Sequence, residues 1–125
     1  MKRVLKDLAC HDNELSILFT DDAGIARLNK AYLNKNGSTN VLAFPMAGGP
    51  SPEIQTGMLG DVVISVDTAL RESYKQDVSL EETIDHLLVH GLLHLLGYDH
   101  ERSVHDAHKM QEEEKRLMKI IKELS

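Results

Sequence analysis

HGLLHLLGYDH, residues 90–100, is the most informative stretch of this 125-residue chain. His90 and His94 are four positions apart, about one helical turn, so both imidazole rings can point at the same place. Gly97 can adopt the left-handed conformation that ends a helix, and the chain can then bring His100 back towards the pair. Three imidazoles with one open position are typical of a catalytic zinc site, since a structural site holds four protein ligands. The spacing therefore predicts one Zn²⁺ per chain.

The same histidine spacing occurs in the metzincin proteases, in the pattern HExxHxxGxxH. In those enzymes the Glu after the first His is the general base. Here that position is Gly91, which has no side chain to accept a proton. The sequence therefore predicts a metal site whose chemistry is not peptide hydrolysis.

The helix that carries the first two histidines is expected to be the central and most buried one. Ser79 and Glu82 form a capping box that starts it, and it runs to about residue 96. Its apolar residues recur at helical spacing, with the histidines at the edge of the apolar face. These apolar residues are Leu80, Ile84, Leu87, Leu88, Leu92 and Leu95.

The rest of the chain predicts an α+β fold, a small mixed sheet with helices packed on it, in a single domain over residues 1–125. Residues 45–58 are rich in Gly and Pro, which indicates a plain loop or a lid over the substrate. The expected elements are a helix over 1–10, a strand over 14–20, a helix with Ile25, Leu28 and Tyr32 on one face, a strand over 40–44 stopped by Pro45, a strand over 59–65, a helix capped by Ser65, the helix over 80–96, and a helix over 104–124.

Composition limits the classes of function. A single cysteine, Cys10, allows no internal disulfide and fits a reducing cytoplasm, and no apolar run approaches the length of a membrane span. A net charge of −6 argues against broad, non-specific binding of nucleic acid. A zinc ion on three neutral imidazoles still concentrates two positive charges at one point, where it attracts phosphate.

Other polar residues surround the predicted centre. His86 lies about 12 Å along the helix from His94, too far to share one ion, which favours a supporting role. Asp99 is expected to orient a ligand imidazole, activate water or cap a turn, and Asp61 either lies beside the metal or is a turn residue. His105 and His108 are expected to be solvated or supporting. Lysines and glutamates alternate on the last helix, which indicates a salt-bridged surface more than an RNA surface.

Three segments together resemble the YbeY family of bacterial metal-dependent endoribonucleases. HGLLHLLGYDH at 90–100 resembles the histidine signature of that family, with Gly at its second position. STNVLAFP at 38–45 is similar to the family's STDVLSFP, and LGDVVI at 59–64 to its LGDIxI. Leu28, Asn29, Tyr32, Met110 and Glu114 also look like family positions.

The resemblance covers the whole chain and implies a zinc-dependent, single-strand-specific endoribonuclease. It implies that the enzyme matures ribosomal RNA, chiefly the 3′ end of the small-subunit RNA, and acts in ribosome quality control. The ribosome or its small subunit is then the expected partner, and no DNA or membrane is expected. The family's zinc ligands carry over onto His90, His94 and His100.

The mechanism expected from these residues uses a zinc-activated water or the RNA 2′-OH as the attacking group. Asp61 or Asp99 would shuttle the proton, and Thr39 would hydrogen-bond the phosphate. Tyr32 or Phe44 is available for base stacking, although both are expected mainly in the core.

The chain departs from the family pattern at three points. Leu33 stands where the family usually has an Arg that looks like a phosphate-binding residue, and Ala43 stands for Ser. Family members usually have one more strand before the first helix, so the chain is expected to be truncated or to have an exposed sheet edge. Leu33 favours an alternative, a non-catalytic, zinc-stabilised ribosome-assembly or RNA-binding factor. A metallohydrolase of peptides or small molecules is the other alternative, and Gly91 counts against its peptidase form.

Overall fold

The computed structural model describes residues 14–45, 58–97 and 103–123. Within these ranges it confirms the α+β class and the mixed sheet, and no described helix is both long and apolar enough to cross a membrane. The helix expected at 1–10 and most of the loop expected at 45–58 lie outside the described residues. The elements are β1 (Glu14–Thr20), α1 (Asp22–Leu33), β2 (Val41–Pro45), β3 (Met58–Ser65), α2 (Val66–Gln76), α3 (Leu80–Leu95) and α4 (Val104–Glu123).

The three strands form one sheet in the order β1-β3-β2. β1 runs parallel to β3, with Ile17 opposite Val62, and β2 runs antiparallel to β3, with Ala43 opposite Val62. Pro45, which was expected to stop the second strand, is instead its last residue and lies opposite Gly60. Proline is tolerated there because β2 is an edge strand of the described sheet, where one side of the backbone needs no partner.

The central strand β3 is covered on both faces, which explains its continuous apolar run. Val62 and Ile64 are fully buried against α3, whereas Val63 packs with Ile25 of α1 and Leu42 of β2. Successive side chains of a strand point to opposite faces, so this alternation sets which residues face which helix. Each fully buried aliphatic side chain contributes roughly 1.5–3 kcal/mol to folding.

Polar side chains cap the helices where the sequence predicts it. Ser79 Oγ accepts a hydrogen bond from the backbone N–H of Glu82 over 3.0 Å, and Ser65 Oγ accepts one from Thr68. Asp21 does the same for α1, with a distance of 2.7 Å to the N–H of Gly24. These caps satisfy N–H groups that the helix itself leaves without a partner.

α3 lies between the sheet and α4, as expected for the central helix. One side of it packs on β3, and the other packs through Val89, Leu92 and Leu93 on α4. The α4 residues in that second contact are Met110 and Leu117, both fully buried. The histidines of α3 therefore lie beside a well-packed interface between two helices.

One aromatic expectation was wrong. Tyr32 was expected on the buried face of α1, but 70% of its surface is exposed to solvent. The helix ends one residue later, at Leu33, beyond the part of α1 that packs on β3. The Tyr32 ring instead lies 5.5 Å from the half-buried ring of Phe44.

Candidate metal centre

His90 and His94 converge, as their spacing predicts. Their Nε2 atoms are 3.1 Å apart, and the two rings meet edge to face with centroids separated by 4.6 Å. Two nitrogens bound to one tetrahedral zinc ion, each about 2.0–2.1 Å from it, lie about 3.3 Å apart. The separation of the two nitrogens therefore fits joint coordination of a single ion.

The carboxylate of Glu114, on α4, joins two histidines of α3. Its Oε1 is 2.6 Å from Nδ1 of His90, and its Oε2 is 3.0 Å from Nε2 of His86. The Glu114 side chain is 14% exposed, so the carboxylate is largely removed from water. A buried carboxylate is stable only when its oxygens are paired, and here both are.

The protonation of this cluster follows from the carboxylate. Burial by itself raises the pKa of Glu114, but the hydrogen bonds from His86 and His90 outweigh it and lower that pKa to about 2. The same hydrogen bond to Glu114 raises the pKa of His86. An ionised carboxylate only accepts hydrogen bonds, so both histidines must donate to it. In neutral His90, the proton is then on Nδ1 and the lone pair is on Nε2, the atom next to His94.

The third predicted ligand, His100, and the neighbouring Asp99 lie outside the described residues. Among the residues that the structure does describe, no group of three or more His, Cys, Asp or Glu side chains could hold a metal ion. The described part of the site is therefore the pair His90 and His94, supported by Glu114.

The structure describes Asp61 in β3 and Thr39 in the loop before β2. Asp61 is inside β3 and exposed, and it lies opposite Phe44. It alternates with Val62, so it is on the face of the sheet that carries α1, not on the face covered by α3. Thr39 is half-buried in the loop before β2. Leu95 of α3 lies close to Gly60 of β3. Gly60 is opposite Pro45, the last residue of β2, whereas Thr39 precedes the first residue of that strand.

Sequence reasoning did not single out Glu114 as a partner of a histidine. The available signal was its place on α4, in the same helical stripe as the buried Met110 and Leu117. A carboxylate in an apolar stripe needs a partner on the facing helix. The supporting role expected of His86 agrees with its contact to Glu114, whereas His105 and His108 are exposed.

Several other charged residues of α4 form ion pairs, in agreement with the salt-bridged surface that the sequence indicates. Arg116 contacts Glu113, and Lys115 lies 3.8 Å from Glu112. Lys122 reaches across to Glu82 of α3, over 3.2 Å. Exposed pairs of this kind contribute little to stability and give the helix a salt-bridged surface.

A pair of histidines on one helix, one of them hydrogen-bonded to a buried carboxylate, is typical of metal-binding sites in proteins. A family model described as Endoribonuclease YbeY matches residues 1–122 of the chain. The chain belongs to this family.

Individual relatives agree with the family model. The chain is 45% identical to the Endoribonuclease YbeY of Syntrophotalea carbinolica, over 98% of this chain and 82% of the relative. It is 45% identical to that of Geobacter metallireducens, over 96% and 81% of the two chains. It is 46% identical to that of Aquifex aeolicus, over 86% and 70%.

The fold is also similar to that of a solved structure. The solution structure of TM1509 from Thermotoga maritima matches with a TM-score of 0.62 at 21% identity. The match covers 94% of this chain and 75% of that one. At this identity the similarity concerns the fold alone, and it agrees with the arrangement of sheet and helices described above.

Proposed function

We propose that this protein is a zinc-dependent endoribonuclease that cleaves single-stranded RNA during maturation of ribosomal RNA. The observation that carries the proposal is the pair of Nε2 atoms of His90 and His94, 3.1 Å apart, in a chain of the YbeY family. The names of the relatives support RNA as the substrate. We further propose the 3′ end of the small-subunit RNA as the target, with a role in ribosome quality control, on the ribosome in the cytoplasm.

In this proposal His90, His94 and His100 hold one Zn²⁺. The bound ion would act as a Lewis acid towards a phosphodiester oxygen and lower the pKa of a water molecule. Neutral imidazoles are good zinc ligands, and they leave the positive charge of the ion available to attract phosphate. This local positive charge would offset the repulsion between RNA and a chain whose net charge is −6.

A carboxylate is proposed to move the proton of the attacking group. Asp99 is adjacent to His100 in the sequence, and Asp61 lies on the sheet face opposite α3. That position favours Asp99 over Asp61 for proton transfer. Thr39 is proposed to donate a hydrogen bond to a phosphate oxygen.

Recognition of single strands is proposed to use stacking. Sequence-dependent contacts to RNA mostly involve unstacked bases that pack on aromatic rings. Tyr32 is 70% exposed, and its ring is supported by Phe44. An exposed aromatic ring on a fixed support is suited to such a contact.

The experiment is to measure zinc per chain and cleavage of a labelled single-stranded RNA, using untagged protein. We expect about one zinc per chain and cleavage that stops with chelator or in His94→Ala. His105→Ala is the matched control, since His105 is an exposed histidine on α4. Cleavage by His94→Ala at the wild-type rate would refute the proposal.

The second candidate is a non-catalytic, zinc-stabilised ribosome-assembly or RNA-binding factor. The observation in its favour is Leu33, an apolar residue at the end of α1 that is 45% exposed. The resemblance leads us to expect a phosphate-binding Arg there. Zinc bound at one per chain, with no cleavage above that of His94→Ala, would support this candidate.

A further inference from the structure

We propose that Glu114 is a positioning residue that fixes the tautomer and orientation of His90 for metal binding, and that His86 holds Glu114 in place. The metal part of this inference rests on the proposed function. The tautomer part concerns the protein without metal and can be tested separately.

Both oxygens of the Glu114 carboxylate contact a histidine of α3. One oxygen is 2.6 Å from Nδ1 of His90, and the other is 3.0 Å from Nε2 of His86. Rotation of the carboxylate would break both hydrogen bonds at once. The two histidines are four residues apart, about one helical turn of α3, and they therefore clamp the carboxylate in one orientation.

The packing of α4 on α3 supports Glu114. Met110 and Leu117, its buried neighbours on α4, pack against Val89, Leu92 and Leu93 of α3. The helix interface thus sets the position of the Glu114 backbone relative to His90. The Glu114 side chain is held by its backbone and by its carboxylate, so it loses little further conformational entropy when a metal binds to His90.

The hydrogen bond to Glu114 also determines which nitrogen of neutral His90 carries the lone pair. With the proton held on Nδ1 by Glu114, neutral His90 has its lone pair on Nε2, which lies 3.1 Å from Nε2 of His94. A hydrogen bond from a ligand histidine to a carboxylate also makes its other nitrogen a better donor to the metal. The opposite tautomer would place a proton where the ion binds.

His86 is assigned the role of a clamp and not of a ligand. Its Nε2 atom donates to Glu114 and is therefore engaged by the carboxylate instead of a metal ion. Its side chain is also 51% exposed, compared with 26% for His90. Loss of His86 should therefore loosen Glu114 without removing a ligand.

The test compares Glu114→Ala, Glu114→Gln, His86→Ala and the control Glu112→Gln. Glu112 is on the same helix, is 62% exposed and lies 4.0 Å from the exposed His108, so its variant removes the same charge but keeps the carboxylate that contacts His86 and His90. Zinc affinity is measured by competition with a chromogenic chelator. We expect Glu114→Ala to bind zinc about 10- to 100-fold more weakly, the usual cost of losing such a partner. Glu114→Gln and His86→Ala should lose less, and Glu112→Gln should match the wild type.

The tautomer is read from ¹⁵N chemical shifts of His90 in metal-free protein at a pH where the ring is neutral. The wild type should show a protonated Nδ1, and Glu114→Ala should show a mixture. Glu114→Gln, which preserves the side-chain volume, keeps the test informative should Glu114→Ala fail to fold.

The outcomes separate the two proposals. A wild type that binds no zinc would refute the proposed function, while the ¹⁵N result would still decide the tautomer. Wild-type zinc affinity in folded Glu114→Gln and Glu114→Ala, or an unchanged His90 tautomer in both, would overturn the role of Glu114 and leave the proposed function intact.

Discussion

Gly91 of α3 lies so close to Val62 of β3 that a β carbon at position 91 would be 2.8 Å from Cγ1 of Val62 and 3.1 Å from its Cγ2. The position that carries the general base in metzincins is therefore a packing position here, directed at the sheet. The absence of a carboxylate after His90 has a structural reason, because α3 needs a residue without a side chain to lie this close to β3.

Gly91→Ala should destabilise the protein. Helix propensity favours Ala over Gly by up to about 1 kcal/mol, but overpacking typically costs 1–3 kcal/mol, and a valine side chain is stiff. We expect a net loss of about 1–2 kcal/mol in the free energy of unfolding, measured by urea denaturation. When Gly91→Ala is made in the Val62→Ala background, it should leave the free energy of unfolding unchanged or increase it. Equal destabilisation in both backgrounds would show that the contact with Val62 is not the cause.

Zinc should stabilise the folded protein. A ligand that binds only the folded state at 100 times its Kd adds about 2.7 kcal/mol to the free energy of unfolding. We expect a rise in Tm on adding zinc, reversed by chelator and absent in His94→Ala. Thermal denaturation with and without zinc tests this, and His105→Ala should behave like the wild type. A zinc-dependent rise in His94→Ala equal to that of the wild type would exclude the histidine pair as the binding site.

Asp22 should make stability depend on pH in the acid range. Ser65 Oγ and Thr68 Oγ1 each donate to its Oδ1 over 2.6 Å, and Arg71 Nη2 lies 2.7 Å from its Oδ2. These hydrogen bonds, with Ser65 the largest contributor, lower the pKa of Asp22 from 3.8 to about 2. The folded state therefore binds the proton less tightly than the unfolded state, so the stabilisation is complete above about pH 5 and is lost as the pH falls through 4 towards 2.

Asp22→Asn removes this ionisation and provides the measurement. Its free energy of unfolding should be below that of the wild type at pH 6, and the difference should shrink between pH 4 and pH 2. Denaturant titrations at several pH values follow both proteins. A difference that stays constant over that interval would mean that the Asp22 carboxylate does not contribute through its charge.

Leu33→Arg should strengthen the interaction with RNA. Leu33 is 45% exposed at the end of α1, so the change should leave folding nearly unaffected. A charge-assisted hydrogen bond to phosphate contributes about 1.5–3 kcal/mol, and about tenfold in kcat/KM corresponds to the lower end. Leu70→Arg on α2, where Leu70 is 41% exposed, is the matched control. An equal gain in both variants would indicate a general effect of charge and not a phosphate contact at position 33.

Features that depend on neighbours along the chain can be predicted from the amino-acid sequence. Helix periodicity brings His90 and His94 together because about 3.6 residues complete a turn, whatever the helix packs against. Ser65 and Ser79 cap their helices because a hydroxyl reaches an N–H three residues ahead. The alternation and apolar runs of the strands likewise predict the small sheet.

Contacts between segments that are distant in sequence are visible only in the folded protein. Glu114 meets His90 because Met110 and Leu117 pack on α3, and 24 positions of sequence separate the two residues. Asp61 lies on the α1 face because the register of β3 with β2 puts it opposite Phe44. Such contacts depend on how whole helices and strands pack, because their side chains must fill the same interior space. The spacing of residues along the chain does not show which elements pack together.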